Sequence, residues 1–315
     1  MKVLIVCSRR NYASFTDYMA PFIYEQAKAV QALGVDCRFI LVERGILGYL
    51  RAAREIRNTV RSYRPDIVHA HYGLCGAIAN LQRKAPVITT FHGSDINDSS
   101  LKLISSLAIA LSKASIVVSK PMYERVPFKK GIHIIPCGID TGLLTPMDRT
   151  QSRKNLGWDM DGKYILFSKE FHNKTKNYPL AKAAVECYNG RHADERPAEL
   201  LEFIGYSREQ VLWLYNAVDC VLMTSDNEGS PQFIKEAMAC NCPIVSVDVG
   251  DVKEVIDGTD GCFLAERNPE SIADCLEAAI LHGRTEGRQK ILQGYGSEVI
   301  AKRVVDLYHN VSDHD

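Results

Sequence analysis

The chain has 315 residues, with 38 basic and 38 acidic side chains and a formal net charge of zero. That balance leaves no global positive field for a nucleic-acid partner, and the length suffices for two domains with sizeable cores. Apolar residues make up 46% and charged residues 24%, the proportions of an ordinary globular protein. No run approaches the roughly twenty apolar residues of a membrane span. The opening apolar run is too short for a signal peptide and is followed by Arg9-Arg10. Ten cysteines occur without a Cys-x-x-Cys pair, and Cys7, Cys220 and Cys262 sit inside apolar runs. Such usage predicts reduced, buried thiols in a cytoplasmic protein, with neither disulfides nor zinc.

Residues 2–7 read as a short, continuously apolar parallel strand. An amphipathic helix over 20–33 follows, which Gly34 can close, and then a strand over 36–42. This βαβ alternation predicts a doubly wound sheet with right-handed crossovers. A helix over 50–63 carries Arg51, Arg54, Arg57, Arg61 and Arg64 at three- and four-residue intervals, on one face. The plain reading is a solvated basic face; the sharper one is a surface for anionic lipid headgroups, peripheral at the membrane. The next strand is Pro65-Asp66-Ile67-Val68-His69-Ala70-His71. Another, over 86–91, delivers His92-Gly93-Ser94-Asp95 at its carboxyl end, where α/β sheets place their ligands. Strands over 114–119 and 132–135 lead to Pro136-Cys137-Gly138-Ile139-Asp140.

After Pro146 the sequence turns polar up to Asp161-Gly162, which predicts an interdomain linker over 147–162. The first domain is then 1–146. A second domain, 163–296, opens on a strand over 163–168 and a lysine-rich loop with Lys169, Lys174 and Lys176. A helix over 178–188, an apolar stretch near 200–205 and a helix over 207–217 precede the buried strand Cys220-Val221-Leu222-Met223.

That strand leads into the most informative stretch of the chain. The loop Ser225-Asp226-Asn227-Glu228-Gly229 precedes a helix, with Ser230 suited to the N-cap and Pro231 to the first helical position. Its inner face would be Phe233, Ile234, Ala237 and Met238. Glu228 and Glu236 are separated by seven residues, so both can face one crevice at the strand end. The amides of the first helical turn favour a phosphate, and carboxylates bind hydroxyl-rich groups. A pyrophosphate, a ribose and a hexose together would satisfy such a site. That ligand is a nucleotide sugar.

Residues 224–264 resemble the signature of the retaining glycosyltransferases of family four. The resemblance rests on Ser225, Glu228, Gly229, Pro231, Glu236-Ala237-Met238-Ala239, Pro243, Gly250, Glu254, Ile256, Gly258, Gly261 and Leu264. Asp251 stands where that pattern has its second loop glycine. The 65–71 strand, Thr90-Phe91-His92-Gly93-Ser94-Asp95 and the 136–140 segment are similar to further segments of the family, with Cys137 in place of Asn.

The resemblance implies a GT-B fold: two Rossmann-like, doubly wound α/β domains facing across a cleft. The second is shortened by one βα unit, and a final helix over 297–315 crosses back to the first domain. It implies a retaining hexosyl transfer from a nucleotide diphosphate sugar to a glycan or lipid-linked acceptor, in polysaccharide or glycolipid synthesis, without an obligatory metal or other cofactor. His92 would lie beside the transferred sugar, and Glu228 would hold sugar hydroxyls with Gly229 and Ser230. Glu236 would bind ribose, and the helix begun at Pro231 would face the phosphates. Lys169, Lys174 and Lys176 stand as candidates for the pyrophosphate clamp. The family's first loop has a glycine pair; this chain has none, so Arg9 or Arg10 becomes a phosphate or acceptor-side candidate, with Asp95. Two rival readings keep the fold: a nucleotide-sugar 2-epimerase and a non-catalytic partner subunit.

Overall fold

The computed structural model describes residues 1–9, 19–98, 100–126 and 128–313. The chain divides into two compact units, Met1–Gly138 with Gly296–Asp315, and Ile139–Tyr295. Each is built on one parallel sheet.

In the first unit, β1 (Lys2–Ser8), β2 (Asp36–Val42), β3 (Ile67–His71), β4 (Val87–Phe91), β5 (Ala114–Val117) and β6 (Ile132–Ile134) pair in the order β2-β1-β3-β4-β5-β6. All five pairings are parallel. Every residue of β3 and β4 is buried, as expected where helices cover both faces of a parallel sheet. The chain winds outward through β2, then returns past β1 to β3. The strand order therefore reverses between β1 and β3, and their carboxyl ends diverge into a crevice.

The last helix, Ser297–Ser312, belongs to this unit. Its Ile300, Ala301, Val304, Leu307 and Tyr308 enter the same core as Ile5, Ile23 and Ile67. Each fully buried aliphatic side chain there contributes roughly 1.5–3 kcal/mol. The Tyr308 hydroxyl meets Nδ1 of buried His69 at 2.5 Å, and Nε2 of His69 meets Thr90 Oγ1 at 2.7 Å. Both ring nitrogens of His69 taken into the core thus have a polar neighbour.

In the second unit, β7 (Lys163–Phe167), β8 (Ala198–Leu201), β9 (Cys220–Met223), β10 (Ile244–Val247) and β11 (Cys262–Ala265) pair in the order β11-β10-β9-β7-β8, all parallel. This sheet has one strand fewer than the first. Its order reverses between β7 and β9, which puts the second crevice at Ser168 and Thr224.

Two expectations change. The helix predicted over 50–63 runs Ile46–Tyr63, starting at Gly45, whose φ of 90° only glycine adopts readily. The linker predicted over 147–162 contains the helix Arg149–Leu156, part of the second unit. The polar composition misled because the segment's deeply placed side chains are themselves polar, Ser152 and Arg153. Arg153 is 1% exposed and lies over the Tyr164 ring at 5.0 Å. It donates to Ala217 O at 3.0 Å, to Met160 O, and to Asp219 Oδ2 at 3.0 Å. The unit boundary lies at Gly138 and Ile139 instead.

Removing one partner of a buried ion pair strands the other charge. Arg153→Met should therefore lower stability by about 3 kcal/mol, the low end of the usual range because Arg149 still holds Asp219. Arg149→Ala, at the half-exposed rim, should cost under about 1 kcal/mol. Urea midpoints of the two variants would check the contrast.

Candidate functional site

At the first crevice, β4 ends on Phe91 and hands over to His92-Gly93. Gly93 has φ 118°, a backbone conformation that side chains rarely tolerate, so the turn needs glycine. Asp95 Oδ1 accepts from the amides of His92 and Gly93, both at 3.0 Å, and so fixes the turn. The half-buried His92 ring lies between Phe22 and Tyr72, with centroids at 4.8 and 4.9 Å. Its Nε2 meets Nδ1 of His71 at 3.0 Å and its Nδ1 meets Cys137 Sγ at 3.7 Å. Burial, with His69 and His92 as neighbours, holds His71 well below the ordinary histidine range and hence neutral.

The carboxyl ends of β1 and β3 border a cavity of about 490 Å³. Ser8, Arg9, Tyr49, Tyr72 and Asp95 line it, with Leu101 and Ile104 as its apolar side. Asp95 is 3% exposed, and its Oδ2 has no hydrogen-bond partner among the described residues. Burial raises its pKa to about 6 against the opposing pull of the His92 and Gly93 amides. Arg9 Nη1 donates to Glu43 Oε1 at 3.3 Å. Asp95 and Arg9 thus share one cavity. Arg10 lies outside the described residues.

At the second crevice, Glu228 on the loop after β9 is ion-paired with Lys176, and both side chains are largely buried. The Thr224 hydroxyl donates to the carbonyls of Lys176 and Asn177, at 2.9 and 3.0 Å, tying the lysine loop to the end of β9. Lys169 pairs with its neighbour Glu170 at 3.6 Å, and Lys174 is exposed. Of the three lysines, only Lys176 is joined to a candidate carboxylate. Glu236, on the helix Gln232–Ala239, accepts from the Tyr215 hydroxyl at 2.8 Å and sits 3.6 Å from Arg208. Burial raises its pKa, against the lowering by Arg208 and by the tyrosine hydroxyl.

The cap of that helix differs from expectation. Pro231, with φ −67° and ψ 120°, is the N-cap, and no side chain caps the first turn. Ser230 faces another way: its hydroxyl donates to Asp251 Oδ2 at 2.5 Å and receives from Lys235. Lys235 is fully buried, 3.4 Å from Asp251 and over the Tyr295 ring at 5.5 Å. Asp251, the residue replacing a loop glycine, is thus the counter-charge of a lysine inside the unit. A side chain on Gly250 would press within 2.9 Å of Gly229 O, so the two loops lie in contact. Sequence reasoning missed Lys235, Arg208 and Tyr215. Only Asp251 signalled the first of them.

Residues 2–143 match the model for Glycosyltransferase Family 4, and residues 182–282 match Glycosyl transferases group 1. The chain is 24% identical over 294 residues to N-acetyl-alpha-D-glucosaminyl L-malate synthase of Bacillus anthracis, covering 79% of this chain and 76% of that protein. Among solved structures it resembles sucrose-phosphate synthase from Thermosynechococcus elongatus, with TM-score 0.80, 16% identity and full coverage of both chains. It also resembles Anabaena HepE in complex with UDP, with TM-score 0.73, 15% identity, and 98% and 100% coverage. At such identities the structures establish a shared fold.

Two stability measurements test this geometry. A carboxyl whose pKa is raised on folding stabilises most below its unfolded pKa and loses that contribution as pH rises through the folded value. Asp95 should therefore make the protein less stable between pH 4 and pH 6, by up to about 3 kcal/mol, and Asp95→Asn should flatten that slope. Lys235→Met should cost about 3–5 kcal/mol by stranding Asp251, and Lys235→Met with Asp251→Ala should recover most of it. Denaturant titrations at several pH values would check both.

Proposed function

We propose, on the match to the Glycosyltransferase Family 4 and Glycosyl transferases group 1 models, retaining transfer of a hexose from a nucleotide diphosphate sugar to an acceptor hydroxyl. The observation that carries the reading is the pair of carboxylates at the second crevice. Glu228 is joined to Lys176, and Glu236 is held by Tyr215 and Arg208. A cation beside a sugar-binding carboxylate suits a sugar joined to a diphosphate. A buried carboxylate held by a hydroxyl donor and a guanidinium suits a ribose diol.

In this reading the bond from the anomeric carbon to the diphosphate oxygen breaks, and one to the acceptor oxygen forms. The acceptor's proton leaves with the diphosphate. Charge develops on the leaving diphosphate, where Lys176 and the amides opening the helix Gln232–Ala239 stabilise it without a resident metal. Glu228 and the backbone at Gly229 and Ser230 orient the hexose, and Glu236 holds the ribose. His92, its ring fixed by His71 and Cys137, is the histidine we assign to the transferred sugar. The cavity at Asp95 and Arg9 takes the acceptor, a glycan or a lipid-linked sugar. The fold itself is compatible with epimerisation. The names of the sequence relatives and the Glu-Gly-x-Pro to Glu-Ala-Met-Ala block favour transfer.

Calorimetry with UDP, GDP and ADP, first without metal and then with magnesium, tests the donor site. Micromolar binding of one nucleotide is expected, and Glu236→Ala should weaken it at least about tenfold, the loss of a charged hydrogen-bonding partner. Failure of all three nucleotides to bind would favour the non-catalytic partner. Release of a free 2-epimer without any acceptor would favour the epimerase.

A further inference from the structure

The early start of the helix Ile46–Tyr63 leaves its first turn uncovered. Ile46 is 81% exposed, Leu47 69% and Leu50 63%, and on another segment Leu103 is 82% exposed. These are four of the five most exposed large hydrophobic side chains among the described residues. All four fall in the two segments that wall the cavity of the first unit. Arg44, Gly45 and Tyr49 line one side of it, and Leu101, Ile104 and Ser105 the other. The rim is therefore apolar on both sides, whereas Asp95 and Arg9 make the interior polar. Exposed apolar side chains grouped around a cavity mark a contact surface.

The same helix supplies the charge. Leu47, Leu50, Arg51, Arg54, Arg57 and Arg61 follow at one- to four-residue steps along the face away from buried Ala52, Ile56 and Val60. Residues 44–64 hold six arginines and a single glutamate, although the whole chain is neutral. An apolar tip continued by a basic stripe on one helix is the pattern of an interfacial helix. The tip enters the headgroup boundary and the arginines lie over anionic lipid. Each such arginine adds about 1 kcal/mol near a negatively charged surface. A protein partner would have to match five units of positive charge beside an apolar edge, and a bilayer does so without further design. No helix among the described residues is long and apolar enough to cross the membrane, so contact would be at the surface.

We propose that this rim docks on an anionic membrane surface, so that the cavity receives the polar head of an acceptor anchored in that membrane. The word acceptor rests on the transferase reading; the docking does not. In the bound state Arg9 and Arg44 face the acceptor's phosphate or other anionic group, and Asp95 accepts from one of its hydroxyls.

The full chain is sedimented with vesicles of phosphatidylcholine alone or of an equal mixture with phosphatidylglycerol, at low and high salt. UDP binding is measured on the same samples. Two variants accompany it: Ile46→Ser with Leu47→Ser and Leu50→Ser, and Arg51→Gln with Arg54→Gln, Arg57→Gln and Arg61→Gln. All seven side chains are exposed, so both variants should fold. The wild type is expected on the mixed vesicles, at least about tenfold less on neutral ones, and less at high salt. Each variant should bind at least about tenfold more weakly, with UDP affinity unchanged. Absence of wild-type binding to mixed vesicles overturns the docking, as does binding that either variant leaves intact. A wild type that stays off vesicles but self-associates through the apolar tip, losing this in the serine variant, also overturns it. Vesicle binding without any nucleotide binding would leave the docking standing and defeat the transferase reading.

Discussion

A parallel sheet covered on both faces has one place left for polar chemistry, the carboxyl ends of its strands, and this constraint governs the molecule. The central strands of both sheets are buried, and most of their side chains are committed to packing. Where the winding direction reverses, two neighbouring strand ends lead their loops apart and open a crevice. In the first unit those ends are Ser8 and His71, and in the second Phe167 and Met223. Nearly every candidate functional side chain follows one of these ends or lies on the helix or strand next to it. The same topology thus made a cavity with Asp95 and Arg9, and a carboxylate pair with Lys176 and Arg208.

In the second unit several buried charges are held in company. Arg153 meets Asp219, Lys235 meets Asp251 and Ser230, and Glu236 meets Tyr215 and Arg208. Each arrangement costs desolvation and returns position: a loop or helix that carries a buried pair cannot drift without breaking it. Lys235 and Asp251 fasten the loop at Gly250 beside the loop at Gly229, next to Glu228. His71, kept neutral by burial, plays a comparable part for the ring of His92.

The first turn of the helix Ile46–Tyr63 follows a different economy. Nothing within the described fold covers Ile46, Leu47 or Leu50, and the arginines behind them have few acidic neighbours. Glu43 is one of them, 3.9 Å from Arg51 and 3.3 Å from Arg9. A surface that stays apolar at one end and basic along the rest is the one we propose to meet a membrane. Its position beside the cavity links that contact to what the cavity holds.

The sequence by itself determined the fold class, because unbroken apolar strands alternating with amphipathic helices admit few arrangements other than parallel sheets. It also singled out the carboxylates Glu228 and Glu236, and His92, as candidates, because their neighbours form a fixed order along the chain. Local patterning could not say where the units divide. Residues 147–162 look like a linker, yet Arg153 reaches Asp219 across 66 positions of sequence. Nor could it choose among Lys169, Lys174 and Lys176, since that choice depends on which lysine the Thr224 tether brings to Glu228. Tyr215, Arg208 and Lys235 were hidden for the same reason: their partners lie elsewhere in the chain. Only the tertiary structure decides which distant charges are buried together, because desolvation and pairing are properties of place rather than of order.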